Sequence, residues 1–241
     1  QGEIKAVVGE NGAGKTTLMN MLYGLLKPTS GTLHVRGKNV DFNTPTDAIK
    51  HGIGMVHQHF KLVPSLTVFE NVLLGIESLK TVKLKHKTFK TPFINRQKQR
   101  HQVQEVIDAY EFNLDASKKV KDLSVGQKQK VEILKMLYRQ VDIIIFDEPT
   151  AVLTPHEVDY FYDTLRDMRK NGKTIILITH KLNEVMAVSD SVMVLKNGRV
   201  VTDVKTRNTN SQHLANHMVG RNVLLTVNKQ YNRVQSANTV Y

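Results

Sequence analysis

The chain alternates between short, continuous apolar runs and longer stretches in which apolar residues recur every three or four positions. Runs of the first kind predict strands covered on both faces; the second kind predicts amphipathic helices. Glu3 to Val8 reads as a short buried strand through Ile4, Ala6, Val7 and Val8. Lys15 to Leu26 reads as a helix, with Leu18, Met19, Leu22 and Leu25 at helical spacing. Thr32 to Arg36 alternates like a strand and turns at Gly37-Lys38. Thr46 to Lys50 is a short helix, Ile53 to Val56 a short strand, and Thr67 to Leu74 a helix. Gln99 to Tyr110 resumes the helical period, and Ser124 opens another helix through Arg139. Val141 to Phe146 and Thr174 to Ile178 are buried strands. Between them, Thr154-Pro155-His156-Glu157 is a capping box with proline at the first helical position, and Asn171-Gly172 is the stop. Leu182 to Val188 is a short helix. Val192 to Leu195 and Val200 to Thr202 form a hairpin around Asn197-Gly198, and Ser211 to Val219 is a last helix before Gly220.

This alternation predicts an α/β fold built on a mostly parallel sheet, with a small antiparallel portion. Residues 62–139 carry no strong strand signal and are expected as a largely helical subdomain inserted between two core strands. Residues 222–241 have no clear period and read as a linker.

Composition narrows the picture little. At 241 residues and 40% hydrophobic content, the chain can bury a sizeable core in one large domain. No run approaches the roughly 18 apolar residues of a membrane helix. Cysteine is absent, which excludes disulfides and thiolate metal sites. The net charge of +12 favours anionic partners, and it is unevenly spread. Lys80, Lys83, Lys85, Lys87, Lys90, Arg96, Lys98 and Arg100 follow one another with no acid between them. That stretch reads as a solvated surface arm; contact with anionic lipid headgroups is the sharper alternative. Nucleic acid is not expected there, because only Phe89 and Phe93 interleave the charges.

Chemistry enters at Gly9-Glu10-Asn11-Gly12-Ala13-Gly14-Lys15-Thr16, a glycine, four positions, then Gly-Lys-Thr. Glycines let backbone N–H groups turn inward around phosphates, Lys15 reaches the β- and γ-phosphates, and the Thr16 hydroxyl ligates Mg²⁺. The loop lies between a strand and a helix N-terminus, as such an anion site requires. It predicts a P-loop NTPase core. Asp147-Glu148 follows the apolar run from Ile143 to Phe146, at the strand end where α/β sheets place ligands. Asp147 is expected to hold Mg²⁺ and Glu148 to orient and polarise an attacking water as general base. Leu123-Ser124-Val125-Gly126-Gln127, taken alone, is a helix cap; beside the other motifs it reads as a second phosphate-facing surface.

Together, Gly9 to Thr17, Gln58 after a strand, Leu123 to Gln127, Ile143 to Glu148 and His180 after Thr174 to Ile178 resemble the ATP-binding cassette (ABC) family, in the family's order. The resemblance covers about Glu3 to Arg221. Met55 to Phe60, Leu62 to Val68, Thr150 to Pro155 and Thr179 to Val185 look like the first cassette of importer ATPases for nucleosides or simple sugars. The resemblance implies a nucleotide-binding domain over 1–221, with the basic insertion at 79–101 inside its helical subdomain. It implies ATP bound by Gly9, Glu10, Asn11, Gly12, Ala13, Gly14, Lys15, Thr16 and Thr17. It implies Gln58 on Mg²⁺ or the lytic water, and His180 on the γ-phosphate. Ser124, Val125, Gly126 and Gln127 would close over the ATP of a second cassette. Permease subunits, a substrate-binding lipoprotein and a peripheral place on the cytoplasmic face of the membrane are implied as well. A soluble cassette ATPase acting on ribosomes or DNA is the alternative. Three departures stand out. Val125 replaces a commoner glycine, and Thr154 stands where many relatives carry aspartate. The stretch before Gly9 also lacks the expected adenine-stacking aromatic, so the chain is expected to be truncated at its N-terminus, with its tail leading to a second cassette.

Overall fold

The computed structural model describes residues 2–76, 79–84, 87–94 and 96–219. In chain order, β1 (Ile4–Val8) leads into α1 (Lys15–Leu22), and β2 (Leu33–Val35) pairs with β3 (Lys38–Val40). Then come α2 (Pro45–Lys50), β4 (Ile53–Val56) and α3 (Val68–Leu73). A hairpin of β5 (Leu79–Leu84) and β6 (Lys87–Ile94) precedes α4 (Arg96–Ala109) and α5 (Val125–Tyr138). The chain continues through β7 (Ile143–Asp147), α6 (Pro155–Lys170), β8 (Thr174–Ile178) and α7 (Leu182–Val188). It ends in β9 (Ser191–Lys196), β10 (Arg199–Lys205) and α8 (Ser211–Val219). Gly220 and the tail expected at 222–241 lie outside the described residues. None of the described helices is long and apolar enough to cross a membrane.

One six-stranded sheet organises these elements, in the order β10-β9-β1-β8-β7-β4. All its pairings are parallel except β9 with β10. Strands β9, β1, β8, β7 and β4 are mostly buried, which is why they read as largely apolar runs, while edge strand β10 stays mostly exposed. On β7, Ile144 and Phe146 enter a core shared with Val68, Val103, Leu134 and Leu165. Ile145 between them enters a second core with Met19, Tyr23 and Met55. Phe146 and Phe161 meet edge to face at 5.4 Å between centroids, a favoured aromatic geometry. A third cluster seats α8 through Leu214 and Met218 against Ala6, Val8 and Val194.

Two expectations need correction. The stretch 62–139 is helical through α3, α4 and α5, but it also contains the β5–β6 hairpin, where no strand was expected. The lysines obscure a succession of β-branched and apolar residues (Thr81, Val82, Leu84, then Thr88, Phe89, Phe93 and Ile94) that finds its partner locally rather than in the main sheet. Helix α1 stops at Leu22 and not at Leu26. Gly24 turns the chain at φ 75°, and a Cβ there would stand 2.5 Å from the Thr44 carbonyl oxygen. Leu25 and Leu26 consequently stay exposed instead of extending the helix's apolar face.

Candidate functional site

Parallel strands deliver their C-terminal ends to one edge of the sheet, and register decides which residues meet there. Val7 of β1 pairs with Ile178 of β8, and Ile178 pairs with Asp147 of β7. Val56 of β4 pairs with Phe146. Gly9, His180, Glu148 and Gln58 each follow these paired residues by two positions. The sheet therefore sets the loop at Gly9, His180, the Asp147-Glu148 pair and Gln58 side by side in strand order. Such a crevice is where α/β sheets bind ligands.

The loop from Gly9 is tied down by its own backbone and by the β9–β10 turn. Ala13 N–H donates to Glu10 O at 3.1 Å, and Gly198 N–H donates to Ala13 O at 2.9 Å. A side chain at position 9 would collide with the Leu195 carbonyl, so glycine is required there. Gly12 and Gly14 have φ of 82° and 98°, the left-handed region that glycine favours. Gly14 caps α1 without any side-chain bond. The N–H groups of Lys15, Thr16 and Thr17 have no carbonyl partner among the described residues. Those donors, at the positive end of a helix, form an anion cradle. Lys15 is only 6% exposed, and its Nζ lies across the loop, 2.7 Å from Gly9 O and 3.0 Å from Glu10 O. A buried ammonium held only by neutral carbonyls remains available to a stronger anionic partner.

Opposite this cation stand two carboxylates. Burial, then the neighbouring Glu148 charge, push the Asp147 carboxyl above its ordinary range, while Lys15 opposes the shift. Glu148 adopts φ 46° although it is not glycine, with its N–H donating to Ile178 O at 3.0 Å. A left-handed conformation costs an ordinary residue about 1–2 kcal/mol and tends to be kept at functional sites. His180 Nδ1 lies 3.0 Å from Glu148 Oε1, so one ring nitrogen orients the carboxylate. His180 itself is exposed. Gln58 is exposed and its side chain makes no hydrogen bond among the described residues.

Ser124 to Gln127 lies elsewhere, at the N-terminus of α5. No hydrogen bond or ion pair joins it to the loop at Gly9 among the described residues. Ser124 Oγ accepts the Gln127 N–H at 3.2 Å and Gln127 Oε1 accepts the Ser124 N–H at 3.1 Å, a reciprocal cap. Val125 is 38% exposed and points no hydrophobic demand inward. Two carboxylates here escaped the sequence reading. Glu157, read only as a cap of α6, also accepts the Gly126 N–H at 3.0 Å. Glu132, 3% exposed, binds the Lys61 N–H at 2.6 Å and the Lys135 ammonium at 2.9 Å. An acid amid the apolar side of α5, between Val131 and Ile133, was the available signal.

Compared with known proteins, residues 1–151 match the family profile described as ABC transporter. The chain belongs to this family. The nucleoside import ATP-binding protein NupA of Lactococcus lactis subsp. cremoris is 47% identical over 95% of the chain and 43% of its own length. The glucose import ATP-binding protein TsgD13 of Haloferax volcanii is 45% identical over 95% of the chain and 45% of its own length. The chain thus spans less than half the length of these curated relatives. Among solved structures, cbiO1 of Clostridium perfringens, part of the ABC transporter complex cbiONQ, superposes with a TM-score of 0.70 at 31% identity. That match covers 86% of the chain and 79% of cbiO1. The ABC fold therefore holds with its P-loop core, parallel sheet and small antiparallel portion.

Proposed function

We propose that the chain is an ATP-binding and hydrolysing cassette that powers an ABC importer for nucleosides or simple sugars, over residues 1–221. The convergence of Lys15, Asp147, Glu148 and His180 on one sheet edge carries this reading, in a chain 47% identical to a nucleoside import ATP-binding protein. Gly9 to Thr17 wrap the phosphates, with the N–H groups of Lys15, Thr16 and Thr17 and the Lys15 ammonium as donors. Lys15 exchanges its two carbonyl partners for phosphate oxygens. Glu148, oriented by His180, takes a proton from the attacking water as general base.

The residues present suit Mg²⁺. Thr16, Asp147 and Gln58 offer hard oxygen donors, and Asp147 is a partly desolvated carboxyl beside the Glu148 charge, which a cation would favour in its ionised form. When bound there, Mg²⁺ neutralises charge that builds on the phosphates. Ser124, Val125, Gly126 and Gln127, remote from this chain's own loop, serve the nucleotide of a second cassette. Permease subunits, a substrate-binding lipoprotein and a peripheral position on the cytoplasmic face of the membrane complete the assembly. The test is solute uptake by the full-length protein with its permeases in sealed vesicles. ATP-dependent nucleoside or sugar accumulation, lost in Glu148→Gln, is expected. Recovery of the protein with ribosomes rather than with membranes would overturn the import reading.

A further inference from the structure

We propose that His213 and His217 form a two-ligand site for a divalent transition-metal ion on the outer side of α8. The two residues are one helical turn apart, on the side of α8 away from buried Leu214 and Met218. Their Nε2 atoms are 3.1 Å apart, and the rings stand at 85° with centroids 4.4 Å apart. Two imidazole nitrogens on one ion, each at about 2.0–2.1 Å, are separated by about 2.9 Å at right-angle coordination and about 3.3 Å at tetrahedral coordination. The observed spacing lies between these limits, so the two nitrogens need not change their separation to share one ion.

The surroundings of His213 suit ligation. Its Nδ1 lies 2.9 Å from the Thr209 hydroxyl oxygen, and its backbone N–H donates to Asn210 Oδ1 at 2.8 Å. With Nδ1–H donating to Thr209, the Nε2 lone pair faces His217. A hydrogen bond on the far ring nitrogen is the support that metal-bound histidines use. On metal binding the His217 Nε2–H is given up, and solvent returns the proton to Nδ1, so the pair stays neutral. Among the described residues no third His, Asp or Glu joins the pair in a metal-holding group, so water fills the remaining positions. An imidazole-and-water set favours Cu²⁺, then Ni²⁺ and Zn²⁺, over Mg²⁺. This chemistry is distinct from the hard-oxygen set at Thr16 and Asp147. Chelation would pin the last turns of α8, whose Val219 carbonyl already accepts from Lys196 Nζ at 2.9 Å across to β9.

The experiment titrates the 241-residue chain with Cu²⁺, Zn²⁺ and, as control, Mg²⁺ in a non-chelating buffer. One equivalent of Cu²⁺ should bind saturably with a visible ligand-field band, and Mg²⁺ in excess should not displace it. Thr209→Val should weaken binding about tenfold, and His213→Gln or His217→Gln by more than that. Equal Cu²⁺ affinity in wild type and both histidine variants would overturn the site. Should a variant fold poorly by circular dichroism, wild-type protein alone decides. Zn²⁺ should shield His213 and His217 from diethylpyrocarbonate, read by peptide mass spectrometry, while exposed His34 and His59 react unchanged. Equal modification of all four would refute the proposal.

Discussion

Gly126 donates its backbone N–H to Glu157 Oε1 at 3.0 Å, while Glu157 Oε2 accepts from the Thr154 N–H at 3.0 Å and hydroxyl at 2.9 Å. One carboxylate thus clamps the start of α5 to the start of α6. The bonds from Thr154 first, and then that from Gly126, hold the Glu157 carboxyl below its ordinary range. Thr154 acts here as the helix cap that fixes Glu157.

This clamp makes position 126 sensitive. A Cβ on Gly126 would stand 2.5 Å from Glu157 Oε1 and 3.0 Å from its Cδ. Glu157 cannot swing away without losing its bonds to Thr154. Gly126→Ala is therefore expected to displace the Ser124–Gln127 segment. It should lower ATP turnover of the full-length assembly by about tenfold or more, since displacements near 1 Å cost that much or more in positioned sites. ATP affinity measured by fluorescent-nucleotide titration should stay within a factor of about two, because Lys15 and its loop do not touch this segment. Unchanged turnover would show that the segment tolerates the shift.

The Glu148–His180 contact separates chemistry from binding. Glu148→Gln keeps the shape and the nucleotide loop but removes the carboxylate proposed as the base. Hydrolysis by the assembled protein should fall about 10²–10⁴-fold, with ATP binding retained. His180→Gln should produce a smaller loss, since the proposed base remains and only the partner of its Oε1 is gone. Single-turnover phosphate release measures both, and a larger defect in His180→Gln than in Glu148→Gln would reverse these roles.

Much of this arrangement was legible because backbone chemistry dictates it. The glycines at 9, 12 and 14 are needed for a Leu195 approach and for positive φ, so their spacing appears in the sequence. Strands buried on both faces must be largely apolar, which exposed β1, β7 and β8. What stayed hidden depends on long-range partners. The β5–β6 hairpin satisfies itself locally, and its lysines read as solvated surface. Glu132 and Glu157 take meaning only once Lys61 and Gly126, distant in sequence, are brought beside them. Gln58 was singled out by the family resemblance and its place after a strand, and its exposed side chain has no hydrogen-bond partner among the described residues to mark it independently.

Asp147 provides a pH test. Burial foremost, and Glu148 next, raise its folded-state carboxyl above the unfolded value of about 3.9. A carboxyl shifted upward stabilises the fold through its protonated form. That contribution is complete below the unfolded value and is lost as pH rises through the raised one. Asp147→Asn should accordingly match wild type in urea unfolding near about pH 4 and exceed it near about pH 7.5. The same variant should weaken the Mg²⁺ dependence of ATP binding. A stability difference that grows toward acid would contradict the sign.

Glu132 joins α5 to the segment after Gln58 and gives the sharpest stability prediction. Its carboxylate takes the Lys61 N–H and the Lys135 ammonium, and Lys135 reaches the Lys61 carbonyl at 3.3 Å. Removing one partner of a buried ion pair leaves the other charge without compensation, at a cost of about 3–5 kcal/mol. Glu132→Ala should lose stability on that scale in urea unfolding, and Glu132→Gln should lose less, because its amide oxygen still accepts from Lys61. A second readout is His57, half-buried with its ring 6.0 Å from that of Tyr23. Burial first, then the charges of Lys61 and Lys135, hold the His57 imidazole below its ordinary value, and Glu132 pushes against them. Without the Glu132 charge, His57 should titrate at still lower pH, followed by its ring proton signals in NMR. A His57 titration that moves upward in Glu132→Ala would mean that the carboxylate does not act on this segment.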